Sequence, residues 1–346
     1  MDTRSTETLE VLSHLPSRPR HSRPLLFVHG AYTGAWCWEE HFLPYFADQG
    51  YSAYALSLRG HGTSWGADNL DWWSIHDYVE DVRRVVAELD ETPVLIGHSM
   101  GGFVVQKYLE TAEAPGAVLM NAVPPQGLLN SSLVLAVSRP SLMLDLNRIL
   151  EGEMVEPDAL RQALFAQPVS SEDMTRYFQH MQRESRRALW DMTLFNLPQT
   201  FRMSRPPMLV LGAENDALIP ASDVRATGAI YGVGAEIFPD LGHAERPLPG
   251  YPLYCAAKGG LLALTRALAA ELAPAVRVNG VAPGPILWPD GPEFDQDARQ
   301  AIVADTLLKR EGAPEDIART VLFLLAGAGY VTGQVINVDG GRTAHL

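Results

Sequence analysis

A serine hydroxyl becomes a useful nucleophile only when an imidazole takes its proton and a carboxylate holds that imidazole in the right tautomer. Ser99 has the setting for such a role. It stands in Gly97-His98-Ser99-Met100-Gly101-Gly102, directly after the apolar run Val94-Leu95-Ile96 and directly before the helix-like stretch FVVQKYLE. So tight a turn between strand and helix tolerates only small flanking residues, hence Gly97 and Gly101, and it lifts the hydroxyl clear of the sheet. The helix amino terminus then faces developing negative charge. An acid and a base must follow, in the chain order serine, acid, histidine. Asp216 fits the acid, in Leu211-Gly212-Ala213-Glu214-Asn215-Asp216, with Glu214 and Asp240 as weaker candidates. His243 fits the base, closing Phe238-Pro239-Asp240-Leu241-Gly242-His243. His29, His61 and His98 also sit beside glycines and are expected to hydrogen-bond loops instead. Acyl transfer further needs amide donors for a tetrahedral oxyanion; the backbone N–H of Met100 and that of the loop beginning Ala31-Tyr32 are the expected pair.

A second pattern lies in Tyr254-Cys255-Ala256-Ala257-Lys258. On a helix this spacing puts tyrosine and lysine on one face, where the ammonium can depress the phenol's pKa. Alone, the pattern is weak.

The elements that must position these residues are legible as apolar runs. LLFVHG, YSAYALSLRG, TPVLIGHSMGG, GAVLMNAV, PPMLVLGAEND and AEIFPDLGH alternate with longer amphipathic stretches, the rhythm of a parallel sheet crossed over by helices. Each run ends in glycine, polar or turn residues, at the sheet edge where α/β proteins place their chemistry. From about 126 to 205 the rhythm becomes helical without strands, including SSLVLAVSRPSLMLDLNRIL, EPDALRQALFA and SEDMTRYFQHMQRESRRALWDM, which is read as a helical cap. At AERPLPGYP, three prolines and a glycine mark a linker. Beyond it the pattern predicts a helix from Tyr254 to about Ala273, a strand VRVNGVAP, two further helical stretches and a strand GQVINVDGG. The expected organisation is an amino-terminal extension over 1–23, a main domain over 24–243 and a separate segment over 244–346.

At 346 residues the chain exceeds the roughly 100–200 residues typical of one domain, which favours a main domain with an appendage. A net charge of −14 without a clustered Lys/Arg face argues against a nucleic-acid partner. Cys37 and Cys255 lie far apart and outside any metal-ligand spacing, so neither a disulfide framework nor a zinc site is expected. No apolar leader region and no run of eighteen uncharged apolar residues is found. A cytoplasmic protein without a membrane segment is the expectation.

Residues from about 24 to 243 resemble the α/β-hydrolase superfamily, its small-ester hydrolases and methylesterase-like members above all. The resemblance rests on His29-Gly30 followed by Ala31-Tyr32-Thr33-Gly34-Ala35-Trp36-Cys37-Trp38, on Leu58-Arg59-Gly60-His61-Gly62-Thr63-Ser64, and on the turn around Ser99. It implies an esterase-like enzyme without metal or organic cofactor, acting on a small-molecule ester, thioester or lactone. Ser57 departs from the family, whose members commonly carry aspartate there; altered loop hydrogen bonding is expected. Residues 244–342 resemble short-chain dehydrogenase/reductases, pteridine reductases in particular, in Arg277-Val278-Asn279-Gly280-Val281-Ala282-Pro283-Gly284-Pro285-Ile286, in Thr332-Gly333-Gln334-Val335-Ile336-Asn337-Val338-Asp339-Gly340-Gly341, in Trp288-Pro289 and in GAPEDIA. That family's tyrosine donates the proton and its lysine touches the cofactor ribose, roles that fall on Tyr254 and Lys258. The Gly-rich turn that a dinucleotide pyrophosphate needs, and the family's serine upstream of the tyrosine, have no counterpart. Tyr254 and Lys258 are therefore expected to be relics, in a truncated Rossmann-like fragment behind a hydrolase-type parallel sheet. Its two strands would leave exposed edges where a homodimer or aggregate could form.

Overall fold

The computed structural model describes residues 7–138, 171–238, 241–244, 268–287, 296–304 and 306–342, with the single positions 140, 141, 143, 144, 148, 164, 165, 169 and 265. The chain divides into two compact units, Met1–Cys255 and Ala256–Leu346.

The first unit is built on seven strands: β1 Glu10–His14, β2 Leu25–Val28, β3 Ala53–Ser57, β4 Val94–His98, β5 Ala117–Met120, β6 Met208–Ala213 and β7 Ala235–Phe238. They lie in the order β1-β3-β2-β4-β5-β6-β7. All neighbours are parallel except β1, which runs antiparallel to β3 with Glu10 opposite Ser57. Side chains alternate between the two faces, and both faces are covered. Leu26, Val28, Leu56 and Leu95 join a core with Tyr78, Val82, Phe103, Val104 and Val224, from the helices Ile75–Glu88, Met100–Tyr108 and Ala221–Tyr231. Leu25, Phe27, Ala53, Ala55 and Ile96 join the opposite core, with Trp38, Phe42 and Leu43.

Helix Ile75–Glu88 begins at a capping box between Ser74 and Asp77. Its buried Ile75, Tyr78, Val79, Val82 and Val85 repeat at three and four residues, the stripe expected of a helix lying on a sheet.

Between β5 and β6 the described residues hold no strand. Helices Leu129–Ser138, Ser171–His180 and Arg186–Trp190 occupy this cap, the last running into one wide turn over Asp191–Phe195. The helix predicted over 156–166 lies outside the described residues but for Leu164 and Phe165. The stretch predicted helical from Ser171 to Met192 is interrupted at 181–185, where Glu184 and Ser185 turn inward to buried partners.

One reading needs correction. Residues 10–14, assigned to an extension before the domain, form an edge strand of the sheet itself. The altered hydrogen bonding expected at Ser57 is seen, since the serine pairs with a carboxylate from that strand. Its hydroxyl donates to Glu10 Oε2 at 2.5 Å and accepts from Ala35 N–H at 2.8 Å, while Glu10 Oε1 accepts from the Thr63 hydroxyl at 2.8 Å.

In the second unit, β8 Gly280–Pro283 and β9 Val335–Val338 pair in parallel, as the predicted two-stranded ribbon requires. Helices Gln296–Ala304 and Pro314–Leu322 lie between them in the chain. Arg277 ties the unit together by donating to the carbonyls of Leu325, Ala328 and Val331. No described helix in the chain is long and apolar enough to cross a membrane.

The Glu10 and Ser57 arrangement predicts a double-mutant cycle. Ser57→Asp alone should lower stability by about 1–3 kcal/mol, because it sets a second carboxylate against Glu10; Ser57→Asp in a Glu10→Gln background should recover most of that loss. Urea unfolding of the four proteins measures the coupling, and additive effects would refute the carboxylate exchange.

Candidate active site

Ser99, Met100, Ala31, Asp216 and His243 all sit past the carboxyl end of a parallel strand. Ser99 follows β4 directly and is held at φ 52° and ψ −117°, a left-handed backbone that costs a non-glycine residue roughly 1–3 kcal/mol. Close packing leaves no alternative there. A Cβ on Gly97 would fall 2.5 Å from the Gly101 carbonyl oxygen, and one on Gly101 would strike the Val28 carbonyl. The turn is also tied across the sheet, since Ser99 N–H donates to the Met120 carbonyl at 3.0 Å.

The structure brings Ser99, His243 and Asp216 into one line. The Ser99 hydroxyl meets His243 Nε2 at 3.0 Å, and His243 Nδ1 meets Asp216 Oδ2 at 2.8 Å. A carboxylate can only accept, so the Asp216 contact places the ring proton on Nδ1 and leaves Nε2 free to accept from the serine. The other Asp216 oxygen accepts the amides of Leu218 and Ile219 at 2.7 and 2.8 Å, which fixes the carboxylate's plane. All three residues are buried. Of the weaker acid candidates, Glu214 is exposed and Asp240 lies outside the described residues.

His243 is positioned through its backbone. Its carbonyl accepts from His98 Nε2 at 2.9 Å and from Asn121 Nδ2 at 3.0 Å. Burial, reinforced by the neighbouring His243, lowers His98 to about 4, so its ring is neutral and donates here. Asn121, directly after β5 and itself left-handed at φ 42°, had no signal in the sequence reading.

The two amides predicted for the oxyanion, Ala31 and Met100, have no hydrogen-bond partner among the described residues. The Gly30 carbonyl accepts from His29 Nδ1 at 2.8 Å and from the Thr33 hydroxyl at 2.9 Å. Because a peptide is planar, pinning that carbonyl sets the direction of the Ala31 N–H on its far side. His29 Nε2 in turn accepts from Leu58 N–H at 3.1 Å. A ring that donates from one nitrogen and accepts at the other is neutral, and burial, then the nearby His61, lowers His29 to about 3.

Ser99 and His243 open onto a cavity of about 210 Å³. Trp36, Phe165, Met174, Tyr177, Phe178 and Leu218 are among its walls, with Ala31, Tyr32 and His98 beside the serine. Cys37 also lines it, its thiol held protonated by burial, which pushes it up to about 12. Tyr254 and Lys258 lie outside the described residues.

Beside the cavity is a buried cluster with no forewarning in the chain's local pattern. His61 Nε2 meets Glu184 Oε2 at 3.0 Å with both side chains fully buried. Glu184 Oε1 accepts from the Tyr78 hydroxyl at 2.8 Å and from Ser185 N–H at 2.7 Å. Burial alone would lower His61, but the Glu184 charge and hydrogen bond outweigh it and raise the imidazole. Burial alone would raise Glu184, but the His61 charge and the donors around it lower the carboxylate. The nearby Arg59 donates to Asp81 at 2.7 and 3.0 Å, and its guanidinium lies 5.2 Å from the rings of Trp65 and Trp73, which anchors the start of the same loop.

The His61 and Glu184 pairing gives a pH window for stability. A raised histidine stabilises fully below its ordinary value of 6.5 and loses that contribution as pH rises through the raised value. A lowered carboxylate stabilises fully above its ordinary 4.5 and loses it as pH falls through the lowered value. The unfolding free energy gap between wild type and His61→Gln should therefore be widest between those two ordinary values, at about 3–5 kcal/mol. Denaturant titrations across pH check this, and a gap that peaks outside the window would count against the ion pair.

The comparisons with known proteins fall into two groups that overlap over residues 231–252. The description of the alpha/beta hydrolase family matches residues 25–252, and that of an enoyl-(acyl carrier protein) reductase family matches residues 231–343. Among solved structures, the monoacylglycerol lipase of Paleococcus ferrophilus aligns with TM-score 0.54 and 19% identity, over 74% of this chain and 99% of that one. An esterase from Exiguobacterium antarcticum aligns with TM-score 0.54 and 17% identity, over 73% and 93%. The 3-oxoacyl-(acyl-carrier-protein) reductase of Thermotoga maritima is 43% identical over 95 residues, 27% of this chain and 39% of its own length. This chain thus spans about two fifths of that reductase. With a hydrolase match over most of its length and a parallel sheet of the same fold, the chain belongs to the alpha/beta hydrolase family and carries a short-chain-reductase-like segment behind it.

Proposed function

We propose that the protein is a serine hydrolase that cleaves a carboxylic ester, thioester or lactone of a small, largely apolar substrate through an acyl-enzyme. The observation that carries this reading is His243 standing between Ser99 and Asp216, at 3.0 and 2.8 Å. The Ser99 Oγ attacks the acyl carbon while its proton passes to His243 Nε2, and Asp216 steadies the resulting imidazolium. The Ala31 and Met100 amides receive the oxyanion. His243 then gives its proton to the departing alcohol or thiol, leaving an acyl-serine. Water, deprotonated by the same imidazole, attacks that ester; the acid departs and the serine regains its proton. The aromatic and thioether side chains in the cavity's walls favour an apolar acyl group.

Short-chain p-nitrophenyl esters test the reaction, and an alkyl fluorophosphonate tests the nucleophile. The wild type should turn over the ester and take the label at Ser99, mapped by mass spectrometry. Ser99→Ala should lose the label and reduce kcat by roughly 10⁴-fold or more. Undiminished turnover in Ser99→Ala, or a label on another residue, would defeat the assignment.

The 43% identity of the last quarter of the chain to a ketoacyl reductase motivates a second reading, an NADPH-dependent carbonyl or pterin reductase. The chain offers no Gly-rich phosphate turn for it. Calorimetric titration with NADPH is expected to show no binding, with Tyr254 and Lys258 as relics; saturable binding would revive the reductase.

A further inference from the structure

The loop that carries the Ala31 amide is held at two places, at the Gly30 carbonyl and at Tyr32. Tyr32, the next residue, is left-handed at φ 66°, a conformation that side-chain-bearing residues keep only where their surroundings impose it. Both backbone groups of Tyr32 are held by one short piece of the cap, the non-helical return after helix Ser171–His180. Its carbonyl accepts from Gln182 N–H at 3.0 Å, and its N–H donates to Glu184 Oε2 at 3.4 Å. The Gln182 side chain meanwhile donates to the Gly60 carbonyl and accepts from Gly62 N–H, each at 2.8 Å. The same return segment therefore grips the loops that follow β2 and β3.

Glu184 is the fixed point of this grip. It is fully buried and accepts from His61, Tyr78, Ser185 and Tyr32, and a carboxylate so placed cannot shift without leaving several donors unpaired. The upstream end of the loop is secured independently, by the contacts of His29 and Thr33 to the Gly30 carbonyl. Among the described residues, only Tyr32 joins the loop to the cap through its backbone.

We infer that Glu184 is a positioning residue for acyl transfer: by holding the Tyr32 amide it preserves the left-handed turn directly after Ala31, and so acts together with the Gly30 carbonyl contacts to keep the Ala31 N–H directed at the oxyanion. This rests on the hydrolase reading above. It makes the cap's return segment part of the oxyanion site and not merely a wall of the acyl cavity. A carboxylate is needed because one oxygen must serve His61 and Tyr32 while the other serves Tyr78 and Ser185, which an amide, with one oxygen, cannot do.

Two substitutions and a control test this. Glu184→Gln and Glu184→Asp should each lower kcat for a p-nitrophenyl ester by about 10²-fold, with KM little changed, because a displaced oxyanion donor acts on the transition state. Glu184→Asp keeps the charge for His61 but is too short to reach Tyr32, so it covers the case in which the glutamine variant fails to fold. Tyr78→Phe removes a donor from the other oxygen of the same carboxylate and should lower the thermal midpoint while lowering kcat far less than either Glu184 variant. Hydrogen–deuterium exchange at the Tyr32 amide should quicken in the Glu184 variants and stay as in wild type in Tyr78→Phe. A folded Glu184→Asp with wild-type kcat, or equal kcat losses in Glu184→Asp and Tyr78→Phe, would overturn the inference. Should the wild type turn over no ester, the hydrolase reading fails while amide exchange still decides the clamp: unchanged exchange overturns it.

Discussion

An imidazole that must reach a hydroxyl with one nitrogen and a carboxylate with the other has little freedom in position or tilt. His243 meets that demand at 3.0 and 2.8 Å, and much of the surrounding architecture exists to satisfy it. The three partners come from the loops after β4, β6 and β7, and β5 lies between β4 and β6 in the sheet. From the end of β5, Asn121 joins His98 in holding the His243 carbonyl. The ring is thus set from behind by backbone contacts and from in front by Asp216, so its two nitrogens are aimed before any substrate arrives.

The same edge concentrates backbone strain. Ser99, Tyr32 and Asn121 are all left-handed without being glycine, and each is held by bonds to a neighbouring element. Ser99 leans on β5, Asn121 on β6 through the Leu211 carbonyl, and Tyr32 on the cap return. Buried carboxylates do much of the holding. Asp216, Glu184 and Asp81 each accept several donors, which makes their burial tolerable and their loops stiff.

The junction of two families runs through this geometry. The hydrolase and reductase descriptions overlap over residues 231–252, and His243 falls inside the overlap. His243 stands after β7 whichever of the two matches its segment belongs to. What gives it a use is the register of β7 against β6, where Ala213 pairs with Phe238, and the tie from Asn215 N–H to the Leu241 carbonyl at 3.0 Å. Those bonds depend on backbone position and not on which family supplied the residue.

Local patterning in the sequence determined the strands β2 to β7, the glycine-flanked turn at Ser99, the chain order of Ser99, Asp216 and His243, and the two-stranded ribbon of the reductase-like segment. Apolar runs, tight turns and fixed spacings are short-range features, so they can be read from neighbours in the chain. Tertiary structure alone decided that Glu10 would pair with Ser57, that the predicted helix from Ser171 would break before Arg186, and that Asn121 and Glu184 would bond to the loops around Ser99 and His243. A glutamate among Gln182, Arg183 and Arg186 looks like part of a solvated helix face. Its burial follows from contacts with His61 and Tyr78, more than a hundred residues away in sequence. Partnership between polar groups is a property of distance in space, and chain spacing carries no record of it.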